Sequence, residues 1–237
     1  MSQREFMEKY LSGNEIERLA NAKFGKLIGI GSRPAVVVID VQNYMVPPAD
    51  LTNGMAFPSS CGEAGDRAVE RISAVLGLAR KLHLPIFHTQ FVLRPDGADI
   101  GVYGRKRSLL RVEGWCLDGS LGADFVARTA PKKNEFAFVK KKPSAFFGTP
   151  LLSMLIDRGI DSLIVMGGST SNCVRATVVD GMSFNYRVTV VSDAVFDRVA
   201  ISHEVALFDM QRQYADVLES QSVMERLSEL SEAGMVL

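Results

Sequence analysis

DSLIVMGGSTSNCVRATVVDG, residues 161–181, decides how the rest of the chain is read. Leu163-Ile164-Val165-Met166 is a short apolar run bounded by turn residues, the pattern of a buried parallel strand. Gly167-Gly168-Ser169-Thr170-Ser171-Asn172 is a turn of small residues, and Cys173 to Val179 reads as a helix. Strand, tight turn and helix place Cys173 at or near a helix N-terminus, where unpaired N–H groups and the macrodipole stabilise an anion. A thiol there is expected to have a lowered pKa and to be nucleophilic at neutral pH. The same N–H groups are able to hold a developing oxyanion. The competing reading is structural, since free cysteine is among the most buried residue types. Against it, two glycines and a run of hydroxyl and amide residues exceed what packing alone asks of the turn.

Outward from this stretch the chain alternates strands and helices. Leu151 to Arg158 is a helix leading in, and Arg187 to Ala194 is the strand that follows, with Asp197-Arg198 in the loop beyond it. His203 to Ala215 is helical, Asp216-Val217-Leu218 is a short edge strand and Ser222 to Ala233 is a closing helix. Upstream, Pro34 to Asp40 is continuously β-branched, hence buried on both faces, and ends in a carboxylate. Carboxyl ends of parallel strands border the active-site crevice, so Asp40 is a site candidate; alternatively it caps the next turn. Asp66 to Leu82 has helical periodicity, and Pro85 to Thr89 is a second strand whose His88 reads as structural. Phe136 to Lys140 is a third. Lys140-Lys141-Lys142 reads as a solvated edge by default, yet Lys140 directly continues the buried run and a desolvated lysine there is able to pair with Asp40. Two segments read as loops: 53–65, a candidate cover for the site, and 94–122, carrying Arg105, Lys106, Arg107 and Trp115.

The order β-α-β-loop-β-α-β-α-β-α-β-α predicts a three-layer α-β-α fold with a central, mostly parallel sheet. Residues 1–30 form a polar helical arm (helix to about residue 25) and a glycine-rich connector, and residues 31–237 a single domain. Equal counts of 27 basic and 27 acidic residues argue against a nucleic-acid or anionic-membrane partner. No apolar run approaches the ~20 residues that cross a bilayer. The charged N-terminus does not read as a signal peptide. Cys61, Cys116 and Cys173 are odd in number and widely spaced, which fits neither a disulfide framework nor a structural zinc site; a cytoplasmic setting is expected.

Taken together, VVVID ending in Asp40, FVKKKPSAFFGT around Lys140 and GGSTSNCVRATVVDG around Cys173 resemble the isochorismatase-like cysteine hydrolases, over residues 24–225 and in the family's order. Phe24-Gly25, Arg33-Pro34-Ala35, Cys173-Val174-Arg175-Ala176, Phe196-Asp197-Arg198 and Tyr214-Ala215-Asp216-Val217 look like the branch of N-carbamoylsarcosine and maleamate amidohydrolases. Gln42 to Val46 and Asn172 depart from that branch's pattern. The resemblance implies that Asp40 moves the thiol proton, Lys140 holds Asp40, and Cys173 attacks an amide carbonyl to form an acyl-thioester and release ammonia. It further implies an oxyanion hole at the N–H groups of Ser169 and Cys173, with a cis peptide at Gly168–Ser169. Arg198 is expected to bind a substrate carboxylate, Thr170 to add a hydroxyl contact. The metal site of nicotinamidases needs an Asp-x-His element, which His83, His88 and His203 do not form, so neither metal nor cofactor is expected. The implied enzyme is a homo-oligomer, a dimer or tetramer, acting on a small molecule. Other classes stay open: a catalytically silent binding scaffold, a redox-responsive thiol protein, or a hydrolase of an ester, lactam or thioester.

Overall fold

The computed structural model describes residues 3–48, 57–106 and 115–234. Its centre is one parallel sheet built from β1 (Pro34–Ile39), β2 (Ile86–Phe91), β3 (Phe136–Lys140), β4 (Ser162–Gly168), β5 (Arg187–Phe196) and β6 (Asp216–Leu218). The spatial order is β3-β2-β1-β4-β5-β6, and every pairing is parallel. Helices α1 (Gln3–Tyr10), α2 (Gly13–Asn21), α3 (Gly62–Lys81), α4 (Val102–Lys106), α5 (Leu151–Asp157), α6 (Arg175–Ser183), α7 (Ala200–Gln213) and α8 (Ser220–Glu232) complete it. This is the expected three-layer α/β architecture.

β1 explains the sheet. All six of its residues are buried, because side chains alternate between two apolar layers. Val36 and Val38 pack with Ile72, Val75 and Leu76 of α3 and Val223 of α8. Ala35, Val37 and Ile39 pack with Leu151 and Leu155 of α5, Val178 of α6 and Met210 of α7. The chain runs from β1 outward through β2 to β3, then returns to lay β4 on the other side of β1. The carboxyl ends of β1 and β4 therefore diverge at a topological switch point, the place where open parallel sheets bind ligands.

The two glycines ending β4 turn out to be packing requirements. Gly167 has φ of 112°, and a Cβ there would lie 2.1 Å from the Ile39 carbonyl oxygen. A Cβ on Gly168 would lie 2.3 Å from the Phe196 ring. β5 reaches Phe196, beyond the expected Ala194, by shifting register against β4 between Val165 and Gly167. The Gly168–Ser169 peptide is cis.

Three further expectations are corrected. The polar arm is two helices, not one: Ser12 caps α2 in a capping box with Glu15, whose carboxylate accepts from the Ser12 N–H at 2.7 Å. α1 packs on α7, with Phe6 stacked on Phe208 at 4.8 Å. The 94–122 stretch is not wholly irregular, since it contains α4 and a bridge between Leu93 and Leu117. Residues 53–56 of the first loop and 107–114 of the second, Arg107 included, lie outside the described residues. The 57–65 remainder of the first loop already enters α3 at Gly62.

His88 is structural, as its place in β2 implies. Its Nε2 meets Glu135 Oε2 at 2.9 Å, and Arg80 of α3 grips the same carboxylate at 2.7 Å. Burial drives the His88 pKa down to about 4, against the pull of Glu135. Burial also works against the Glu135 carboxylate, but Arg80, the Lys132 N–H and His88 outweigh it and hold its pKa at about 2. Both shifts act in one direction. Between the ordinary histidine value of 6.5 and about 4, the unfolded chain takes up a proton that folded His88 refuses. Between 4.5 and about 2, the same holds for Glu135. Stability is thus expected to fall as pH drops through these two windows. Glu135→Gln should flatten the lower window in urea titrations and cost about 1–3 kcal/mol at neutral pH; an unchanged acid profile would contradict the assignment.

Candidate active site

Three strand ends supply the site. Asp40 follows β1 directly and takes a left-handed conformation, φ 48°, which Asp tolerates because its short polar side chain bonds locally. It is fully buried, and Thr89 near the end of β2 donates its hydroxyl to Asp40 Oδ1 at 2.6 Å. Lys140 closes β3, two strands away, and reaches across Phe91, whose ring centroid is 5.0 Å from Nζ. Its Nζ forms an ion pair with Asp40 Oδ2 at 2.7 Å and donates to the Lys142 carbonyl at 3.0 Å and to Cys173 Sγ at 3.3 Å. The default reading of Lys140 as a solvated edge is thereby excluded. Lys141 turns the other way, to the Val92 carbonyl and Asp99, each at 2.6 Å.

Cys173 sits in a wide π-helical turn, Thr170–Val174, that opens α6. The N–H groups of Asn172 and Val174 both donate to the Ser169 carbonyl, at 3.1 and 3.2 Å. Thr177 ties the turn to the segment that follows β3, accepting from the Ala145 N–H and donating to the Cys173 carbonyl.

The expected low-pKa thiolate is not what this environment produces. Burial pushes the Cys173 thiol up to about 12; the Lys140 ammonium pulls it down, while the Asp40 carboxylate pushes it up again. The helix N-terminus loses to desolvation and a neighbouring anion. The Lys140 ammonium goes the other way: burial lowers its pKa, but Asp40 and Cys173 together raise it above the ordinary lysine value. The resting arrangement is an ion pair beside a protonated thiol.

Cys173 lines a narrow pocket. Tyr44, Phe91, Tyr103 and Trp115 provide aromatic walls; Ser169, Asn172 and Arg198 provide polar ones. Tyr44 and Trp115 pack with ring centroids 4.9 Å apart. Arg198 is held by Nε donating to the Ser59 carbonyl, with its guanidinium 6.0 Å from the Tyr44 ring. The structure therefore brings Asp40, Lys140, Cys173, Ser169 and Arg198 to one place. Thr170 is not among them: it is fully buried, its hydroxyl 2.9 Å from His203 Nδ1 and away from the pocket lining. Gln42 and Asn43 also serve the loop, bonding the Ala123 and Leu121 carbonyls at 2.7 and 3.1 Å. No cluster of His, Cys, Asp and Glu suited to a metal ion occurs among the described residues.

The isochorismatase domain family matches residues 34–222. The chain belongs to the isochorismatase family. It is 35% identical over 211 residues to the maleamate amidohydrolase of Pseudomonas putida, covering 88% of this chain and 93% of that one. It is 32% identical over 209 residues to the N-carbamoylsarcosine amidase of an Arthrobacter species, covering 87% and 76% respectively. Among solved structures, an isochorismatase family protein of Desulfovibrio vulgaris superposes with a TM-score of 0.72 at 32% identity, covering 83% of this chain and 98% of that one. Within this isochorismatase-family site, sequence reasoning missed Thr89 and the role of Tyr44 as a wall. Thr89 carried no separate signal, because His88 and Gln90 flank it with polar side chains in the same strand.

Two measurements check the electrostatics. The rate at which iodoacetamide alkylates Cys173 is expected to keep climbing, without plateau, from about pH 7 to about pH 9.5. A plateau near neutrality would mean a resting thiolate. Lys140→Met should cost about 3–5 kcal/mol in urea unfolding by stranding a buried carboxylate, and adding Asp40→Asn should return much of it.

Proposed function

We propose that this chain, a hydrolase acting on carbon–nitrogen bonds other than peptide bonds, cleaves a small linear amide or ureido acid that carries a carboxylate. The observation that carries this reading is the buried sequence of contacts Asp40–Lys140–Cys173, at 2.7 and 3.3 Å, opening on a pocket whose wall includes Arg198. Relatives named for maleamate and N-carbamoylsarcosine support the same substrate class.

In this reading the protonated thiol is activated only when substrate arrives. Asp40 takes the proton from Sγ as sulfur bonds to the amide carbonyl carbon, so no free thiolate need be maintained. The oxyanion forms against the N–H groups of Ser169 and Cys173. Collapse of the tetrahedral intermediate breaks the C–N bond, and the proton held by Asp40 leaves with the nitrogen as ammonia. Water then attacks the thioester carbon, Asp40 taking its proton; the acid departs and the proton returns to Cys173. Lys140 keeps its charge throughout, orienting Asp40 and offsetting negative charge as it passes to sulfur. Arg198 presents a planar fork to the substrate carboxylate, and the aromatic walls exclude water from the acyl chain.

The test is ammonia release from maleamate, N-carbamoylsarcosine, ureido acids, nicotinamide and neutral amides, with an ester and a lactam alongside. Release is expected from an acid amide and abolished by Cys173→Ala. Asp40→Asn is expected to lose about 10²–10⁴ in rate. Arg198→Met should raise KM for the acid amide about 10–100-fold, leaving neutral amides nearly unaffected. Equal release by wild type and Cys173→Ala would overturn the reading in favour of a binding role for the fold.

A further inference from the structure

We propose that Asp197 is a positioning residue that couples the two polar poles of the pocket, the Cys173 turn and the Arg198 guanidinium. The inference rests on the acid-amide reading of that pocket and adds a residue that touches neither thiol nor substrate. Asp197 lies directly after β5 and does not line the pocket; it faces the neighbouring groove along α3 and α7. Its Oδ2 accepts from the Ser171 N–H at 2.9 Å and from the Ser171 hydroxyl at 2.7 Å. Its Oδ1 accepts from the Arg198 N–H at 2.8 Å and, more weakly, from the Val199 N–H at 3.5 Å.

One half-buried carboxylate thus gathers donors from two segments far apart in sequence. Ser171 lies within the π-helical turn, two residues before Cys173 and two after Ser169. Arg198 is the next residue in the chain, and its side chain is tied at the far end to Ser59. The distance from the attacking sulfur to the guanidinium sets which acyl chain spans the pocket, and Asp197 is the link that holds it. Charge-assisted bonds of this length tolerate little drift. An amide at position 197 retains one acceptor oxygen and turns an NH₂ group toward donors on the other side, so both segments cannot be held at once.

Iodoacetate and iodoacetamide report on both poles without knowledge of the substrate. Their rates at Cys173, read by peptide mass spectrometry and normalised to a free thiol at the same pH, separate the nucleophile (rate) from the clamp (iodoacetate preference). Wild type is expected to prefer iodoacetate, and Arg198→Met to lose that preference. Asp197→Asn is expected to lower both the rate and the preference, each about fivefold or more, as loss of a charge-assisted bond implies. Ser171→Ala, the milder change, should lower the rate about threefold or more and keep the preference, since it releases only the turn. A folded Asp197→Asn with both readouts within about twofold of wild type overturns the coupling, as does a fall in rate with unaltered preference. Should Asp197→Asn not fold, an unchanged rate in Ser171→Ala overturns it instead. Absence of any iodoacetate preference in wild type sinks the carboxylate clamp of the preceding section. The Asp197 link to the nucleophile would then stand or fall on the rate alone.

Discussion

The contact on which the structure depends is the 2.7 Å ion pair between Lys140 and Asp40, both side chains fully shielded from solvent. Burying two charges costs several kcal/mol per ion, and only close geometry with every remaining donor satisfied offsets it. Here the offset is distributed over the whole left half of the sheet. Thr89 of β2 bonds the carboxylate, β3 must be in register for the lysine to reach it, and the Lys142 carbonyl and Cys173 sulfur accept from the ammonium. No member of the set can move alone without stranding a charge.

That pair also decides the state of the thiol. A cysteine at a helix N-terminus ordinarily gains acidity, but Cys173 is enclosed by aromatic and aliphatic side chains and shares its lysine with a carboxylate. Of the two groups whose charge Lys140 is able to offset, the carboxylate lies closer than the sulfur. The arrangement suits chemistry in which a proton moves in step with attack, and it suits less well a permanently charged nucleophile.

Much of this was legible in the sequence, for physical reasons that differ by element. β1 and β3 were readable because Pro34–Ile39 and Phe136–Lys140 carry their signal locally, as unbroken apolar runs closed by a charge. The convergence of Asp40, Lys140 and Cys173 followed from Asp40 and Lys140 standing at strand ends and Cys173 in the turn that follows a third strand. The thiol's protonation was not readable, because depth of burial depends on Tyr44, Trp115 and Tyr103, which arrive from connecting segments with no periodicity. Thr170 was misplaced because its neighbour His203 lies thirty-three residues on, in a helix whose approach no local pattern encodes. The break in the N-terminal arm was readable: Ser12 and Glu15 spell a capping box.

The switch point has a consequence for the order in which the chain is made. β2 and β3 both add to the same side of β1, while its other neighbour, β4, begins only at Ser162. Until then the most apolar strand of the protein has one unpaired edge, bare along its length. An open edge of that composition is a template for pairing with another chain, and in a growing polypeptide it waits for well over a hundred residues of synthesis. The crevice that forms the pocket and the interval of greatest risk to the nascent chain thus have one origin, the late insertion of β4 beside β1.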